Sequence, residues 1–201
     1  EEEFKVPVAV ENDVNAAGLG EAHFGAGRGA DDFICLTYGT GVGGAIILNG
    51  QVYRGSTGSA GEMGAMIIHP RERRAKEDMY SGCYEKYASV TALVNQVRAV
   101  DDSLDNGRKI FDALHREYVK AEVDGWIMEI VSGLVSLIHI FNPSCVVLGG
   151  GVMSQSYVVE QVSKLTRENI MESYRHVKIL KAALGNQAGM FGAARLAMDI
   201  K

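Results

Sequence analysis

The residues that could do chemistry are two glycine clusters and three carboxylates beside small residues. Gly39-Thr40-Gly41-Val42-Gly43-Gly44 and Gly149-Gly150-Gly151 each follow an apolar run. Backbone without a Cβ can turn its amides toward an anion, so both clusters suit the cradling of phosphate. The first lacks the Gly-Lys-Ser/Thr ending of a P-loop, and GGGVMS is not GxGxxG, so each taken alone also reads as a tight turn. Asp13 is the best single general base: it stands where a strand gives way to a helix, flanked by Asn12 and Asn15 and followed by Ala16 and Ala17. Its plainer reading is a helix N-cap. Glu62, inside SAGEMGA, has no obvious capping role and suits either a polyol hydroxyl or open solvent. Glu85 opens a helix, where an acid in the first turn also complements the helix dipole. The five histidines are scattered, and His69 with Cys83 does not make a metal site.

These residues need elements to position them. Phe4 to Val10 reads as a short strand running into a helix from about Val14 to Phe24, which Gly25-Ala-Gly27-Arg-Gly29 stops. Phe33 to Tyr38 is an apolar strand, and Asn49-Gly50 predicts a hairpin pairing Val42 to Leu48 with Gln51 to Arg54. A glycine-rich loop from Gly55 to Gly64 leads to a strand at Ala65 to Ile68, then to an exposed charged excursion, His69 to Ser81. Period-3.6 patterns predict helices over Tyr84 to Ala99, Gly107 to Ala121 and Val123 to Phe141, the last stopped by Asn142-Pro143. Strands at Cys145 to Leu148 and Val177 to Leu180 alternate with helices at Ser156 to Ser173 and Gln187 to Met198. An antiparallel start followed by alternating strands and helices makes an α/β domain with a mixed sheet and helices on both faces.

Composition narrows the function classes. Gly supplies 24 of 201 residues and Pro only 3, which rules out a proline-rich linker and asks for many tight turns in an ordered fold. With 47% hydrophobic and 22% charged residues the chain can bury a real core, which argues against disorder. A net charge of −5 offers no basic footprint for nucleic acid. The longest uncharged apolar stretch, Ile130 to Phe141, is too short to span a bilayer, so a soluble chain without a membrane partner is expected. Cys35, Cys83 and Cys145 form no disulfide framework, no secretory leader opens the chain, and a reducing cytoplasm is the expected setting.

In order, ENDVNAAGLGE, YGTGVGGAIILNGQVYRG, GSAGEMGAM, SGCYEKYAS, NPSCVVLGGGVM and ALGNQAGMFGAARLA together resemble the ROK family of sugar kinases and sugar-responsive repressors, from about Val6 to Ala197. The resemblance implies the actin-like ATPase (ribonuclease H-like) fold, with residues 1–201 as the larger C-terminal lobe of a two-lobed protein and the first phosphate-loop lobe outside these residues. It implies ATP-dependent phosphorylation of a hexose, with Asp13 as the base. Asn12, Glu62 and Glu85 match sugar ligands; Gly39, Thr40 and Gly41 match a phosphate loop; Gly149, Gly150 and Gly151 match the turn against which adenosine packs. Mg²⁺ would be held mainly by the other lobe, and a homodimer is implied. Alone, the chain is expected to be inactive. The other activity that the resemblance carries is sugar sensing by a repressor, for which intact Asp13 is not needed.

The sequence departs from the family at one place. Where members commonly carry Gly-His it reads Gly64-Ala65, and where they carry a cysteine-rich segment it reads RAKEDMYSGCYE, which retains only Cys83. No structural zinc is therefore expected, and Ala65 leaves the sugar preference open.

Overall fold

Phe33, Ile34, Cys35 and Leu36 are almost wholly buried because their strand, β1 (Phe33–Tyr38), is the middle of a five-stranded sheet with helices on either side. The fold is described from a computed structural model, over residues 5–199. β1 pairs antiparallel with β2 (Val42–Leu48), which turns through Asn49-Gly50 into the short β3 (Gln51–Val52). On its other side β1 pairs in parallel with β4 (Cys145–Gly149), which pairs in parallel with β5 (Lys178–Lys181), giving the order β3-β2-β1-β4-β5. Asn49 and Gly50 both take positive φ, as the expected hairpin turn requires.

Two apolar layers sandwich the sheet. On one face Ile34, Leu36, Ile46, Val146 and Leu148 meet the long helix α5, defined below, and its neighbours; on the other Phe33, Cys35, Ala45, Ile47 and Val147 meet Leu19 of α1 (Asp13–Phe24). The chain between β3 and β4 supplies α2 (Glu85–Ala88), α3 (Val90–Val100), α4 (Gly107–Asp112) and α5 (Glu117–Phe141); beyond β4 come α6 (Ser156–Asn169) and α7 (Ala188–Met198). α5 is long and apolar enough by length and composition to cross a bilayer. Here, however, Val123, Trp126, Ile127, Ile130, Leu134 and Ile138 are buried in the core. α7 lies on α1 at a seam of small residues, where a Cβ on Gly192 would fall 1.7 Å from the Ala16 carbonyl oxygen. Glu21, wholly buried, accepts N–H groups from Ala26 (2.7 Å), Ala183 (3.1 Å) and Leu184 (2.8 Å), fixing the loop that enters α7.

Several expected boundaries differ. Residues 5–10 form no strand, Phe4 lying outside the described residues. The strand expected at Ala65 to Ile68 is a 3₁₀ turn at Met63–Ala65 followed by one bridge, Ile67 to Cys83. The helix expected over Tyr84 to Ala99 breaks at Ser89, whose extended backbone ends α2 and whose hydroxyl caps α3 by accepting the Ala92 N–H. α4 ends at Asp112 rather than Ala121, and α5 starts six residues before Val123. Periodicity cannot show that break, since Ile110 on one side and Val119 on the other point into the same core. α6 ends at Asn169 instead of Ser173 because Ile170 turns extended.

Candidate functional site

A cleft of about 530 Å³ opens at the end of the sheet where β1 turns into β2, beside the N-terminus of α1. Its walls come from the α1 start, the β1–β2 turn, the loop before Met63, Glu85 and Gly150-Gly151. Of the residues singled out from the sequence, Asn12, Asp13, Gly39, Thr40, Gly41, Glu62, Glu85, Gly150 and Gly151 all line it. Gly149 does not: it is the buried last residue of β4, so the turn proper begins one residue later.

The N-cap of α1 is Asn12, whose Oδ1 accepts the N–H groups of Val14 (2.9 Å) and Asn15 (3.1 Å). That settles the capping question for Asp13, which is the first helical residue. Among the described residues its carboxylate accepts only the adjacent Val14 N–H (2.9 Å), and it is exposed and lines the cleft, while Asn12 keeps its amide NH₂ to donate. Glu11, just before, is held below the ordinary carboxylate pKa. Burial pushes it up, but hydrogen bonds from Asn15, the Asn12 N–H and Arg54 outweigh that.

Glu85 is aimed by the core. Tyr84 is fully buried, donates to the Ile130 carbonyl (2.8 Å) and shares a hydrogen bond with Tyr38 (2.8 Å). It fits only because residue 133 is glycine, where a Cβ would lie 2.4 Å from the ring. Burial drives both tyrosine hydroxyls far above their ordinary pKa, so they stay protonated donors. With Tyr84 anchored, Glu85 lines the cleft and its Oε2 accepts the Val42 N–H (3.0 Å). A Cβ on Gly41 would strike that carboxylate at 2.1 Å. Glu62 sits at the start of the Met63 turn and caps nothing. Its loop is held against β2 by mutual contact of Gly44 and Gly61, each of whose Cβ would meet the other's carbonyl oxygen, at 2.6 and 2.7 Å.

The glycines differ in kind. Gly150 has φ +97°, and a Cβ there would lie 2.1 Å from the Tyr38 carbonyl oxygen, so the fold itself requires it. Gly39 and Gly151 face open space, with nothing within 4 Å of a Cβ. Packing within the chain therefore requires neither to be glycine. The Gly39 carbonyl accepts the Val90 N–H (2.9 Å), which ties the turn to the start of α3.

Sequence reading passed over Ser59, Thr37 and Asn15, which also line the cleft. Ser59 was legible as a hydroxyl between Gly58 and Gly61. An adjoining cavity of about 380 Å³, lined by Val90, Thr91, Val94, Asn95 and Val152, shares Gly39, Thr40 and Gly151 with the cleft. It was not legible, because the break at Ser89 is what places α3 there.

The segment after Ala65 is organised by Arg73. Its guanidinium donates to the Met79 carbonyl, to the Ser81 carbonyl (2.9 Å) and to Cys83 Sγ (3.5 Å), while Asp78 pairs with Lys86 (2.8 Å). Among the described residues there is no group of three or more His, Cys, Asp or Glu able to hold a metal ion.

The profile of the ROK family matches residues 1–200. An uncharacterized protein of Clostridium perfringens is 38% identical over 200 residues, covering 96% of this chain and 64% of its own length. A glucokinase of Streptomyces coelicolor is 34% identical over 217 residues, covering 96% of this chain and 68% of its own length. Among solved structures, a ROK family glucokinase from Streptomyces griseus in complex with glucose and AMPPNP superposes with a TM-score of 0.86 at 33% identity, over 100% of this chain and 71% of that one. The chain thus spans about two thirds of the length of these curated relatives.

Proposed function

The chain belongs to the ROK family, and from that premise we propose that it is the larger lobe of an ATP-dependent kinase acting on a hexose or hexose derivative. The actin-like ATPase fold of its neighbours is matched by the mixed sheet with helices on both faces. The observation that carries the reading is Asp13. With α1 already capped by Asn12, its carboxylate is left open in a cleft that also holds Glu62 and Glu85.

In this reading the sugar hydroxyls are held by the Asn12 amide, by Glu62 and by Glu85. Asp13 takes the proton of the attacking hydroxyl as that oxygen bonds to the γ-phosphorus of ATP, and the bond to ADP breaks. Gly39, Thr40 and Gly41 border the phosphates, and Gly150 and Gly151 the nucleoside, with the cavity beside α3 as its extension. Since the described residues offer no dedicated cation site, Mg²⁺ would come with the nucleotide phosphates and be held from the other lobe; bound there, it neutralises phosphate charge. No structural zinc is part of the proposal, because Arg73 does the tying together in the segment where Cys83 stands. Stoichiometric zinc in the purified protein would overturn that part. A cytoplasmic homodimer without nucleic acid or membrane contacts completes the reading, and sizing in solution tests the pairing.

The test is a coupled ADP-release assay across hexoses and N-acetylhexosamines on the protein complete with its second lobe. Asp13→Asn is expected to reduce kcat by about 10²–10⁴-fold with far smaller change in sugar affinity. Near-wild-type turnover in that variant removes Asp13 from the base role. Sugar binding without any turnover in the wild type would favour a sensor of the repressor kind.

A further inference from the structure

Among the described residues the Asp13 side chain bonds only its neighbour's N–H, so its place in the cleft is set by the backbone of residues 11–15. That backbone is gripped by Glu11. One oxygen of Glu11 accepts the Asn12 N–H (3.0 Å) and the Asn15 side-chain amide (3.1 Å). The other accepts both Nε (2.9 Å) and Nη2 (2.5 Å) of Arg54, 43 residues on. Arg54 is the root of the loop that lines the opposite part of the cleft: its carbonyl accepts the Ala60 N–H (3.1 Å), and Gly58 to Glu62 follow as cleft wall.

We propose that Glu11 and Arg54 are positioning residues, a strap that fixes Asn12 and Asp13 relative to the Gly58–Glu62 loop so that base and sugar ligands keep one spacing. The inference rests on the kinase reading for its kinetic consequence, but its geometry stands apart from that reading. Magnitude favours positioning over stability. The Arg54 side chain is 47% exposed, and a pair with one such partner adds little to stability. Yet Glu11 is only 9% exposed in its side chain and has both oxygens occupied by three residues, of which Asn12 and Asn15 line the cleft. A carboxylate so engaged restricts where Asn12 and Asp13 can go, and misplacing a reacting group by about 1 Å can cost on the order of 10²-fold in rate.

Arg54→Ala, Arg54→Lys, Glu11→Gln and the double variant Glu11→Gln/Arg54→Ala separate the roles. In the complete enzyme, with the hexose that wild type phosphorylates fastest, Arg54→Ala and Glu11→Gln should each lower kcat/KM for sugar by about 10-fold or more. The KM for ATP should stay at its wild-type value, and the double variant should be no worse than the weaker single, as coupled residues behave. Arg54→Lys, which retains the charge, should recover most of the loss. Wild-type sugar kinetics in Arg54→Ala, additive losses in the double variant, or equal changes in sugar and ATP parameters would each overturn the strap. Should wild type phosphorylate no hexose, the kinase reading fails and amide exchange still decides the strap. Arg54→Ala must then speed exchange at residues 13–16 while leaving β1 and β4 protected, and unchanged exchange there rejects it.

Discussion

The rim of the cleft and the arginine-rich loop after Ala65 are built from the same kinds of residue and behave oppositely. In the loop several polar groups are engaged with one another or with the helices beside it. His69 bonds Glu129 (2.9 Å), the Tyr87 hydroxyl donates to Glu72 (2.5 Å) and the Arg74 N–H donates to Ser81 Oγ (2.6 Å). Burial, with the Glu72 bond, raises the Tyr87 hydroxyl to about 12. On the rim, Asp13, Glu62 and Glu85 line one shared space, Asp13 and Glu85 each accept a backbone N–H, and Glu62 caps nothing. Charged residues on glycine-rich loops therefore indicate chemistry only where the fold has left them without an internal task.

The two glycines at the cleft mouth offer the sharpest way to break that distinction. Gly150→Ala is expected to destabilise severely: the positive φ costs about 1–3 kcal/mol, before the collision with the Tyr38 carbonyl. Gly151→Ala meets nothing inside the chain and should leave stability within about 0.5 kcal/mol, while raising the KM for ATP. Denaturant unfolding of both variants with steady-state kinetics of the second checks the pair. A Gly151→Ala protein that binds nucleotide as well as wild type would show that the open space there serves nothing.

Removing the loop's organiser should give the reverse pattern. Arg73→Ala deletes four donations at once and is expected to cost about 2 kcal/mol, seen as faster amide exchange over residues 74–82. Because nothing in this loop lines the cleft, kcat should be unchanged. A drop in kcat larger than the drop in folded fraction would mean that the loop and the rim act together.

How much of this was legible in the sequence follows from which interactions are local. The hairpin at Asn49-Gly50, the strand cores and the stop at Asn142-Pro143 are local signals and were readable. So was the grouping of Asn12-Asp13, the glycine turn, Glu62 and Glu85, though only through their order along the chain. Composition could not say whether Asp13 or Asn12 caps α1, since both types cap well, and the geometry alone separates their roles. The breaks at Ser89 and at residues 113–116 were hidden because apolar spacing continues across them. Residues 5–10 alternate Val6, Val8 and Val10 as a strand would. Alternation alone does not supply the continuous ladder that a strand needs, however, and among the described residues the sheet's strands run from β1 to β5. The Glu11–Arg54 contact spans 43 residues of chain, a distance at which no local pattern speaks.

The smallest effect concerns that same pair and comes from its protonation. Hydrogen bonds from Asn15, the Asn12 N–H and Arg54 hold Glu11 below its ordinary value of 4.5, against the upward push of burial. A carboxylate lowered on folding binds protons more weakly in the native state than in the unfolded one. Its contribution is therefore complete above about pH 4.5 and is lost as pH falls through the lower native value. Wild type and Glu11→Gln should accordingly differ in stability at pH 6 to 7 and converge in acid, with the wild-type curve alone losing this increment below about pH 4.5. Chemical denaturation across that range reads the difference. Parallel curves would mean that Arg54 and the Asn12 amide do not favour the ionised form of Glu11, and the rim would then lack the charge-dependent hold that distinguishes it from an ordinary surface pair.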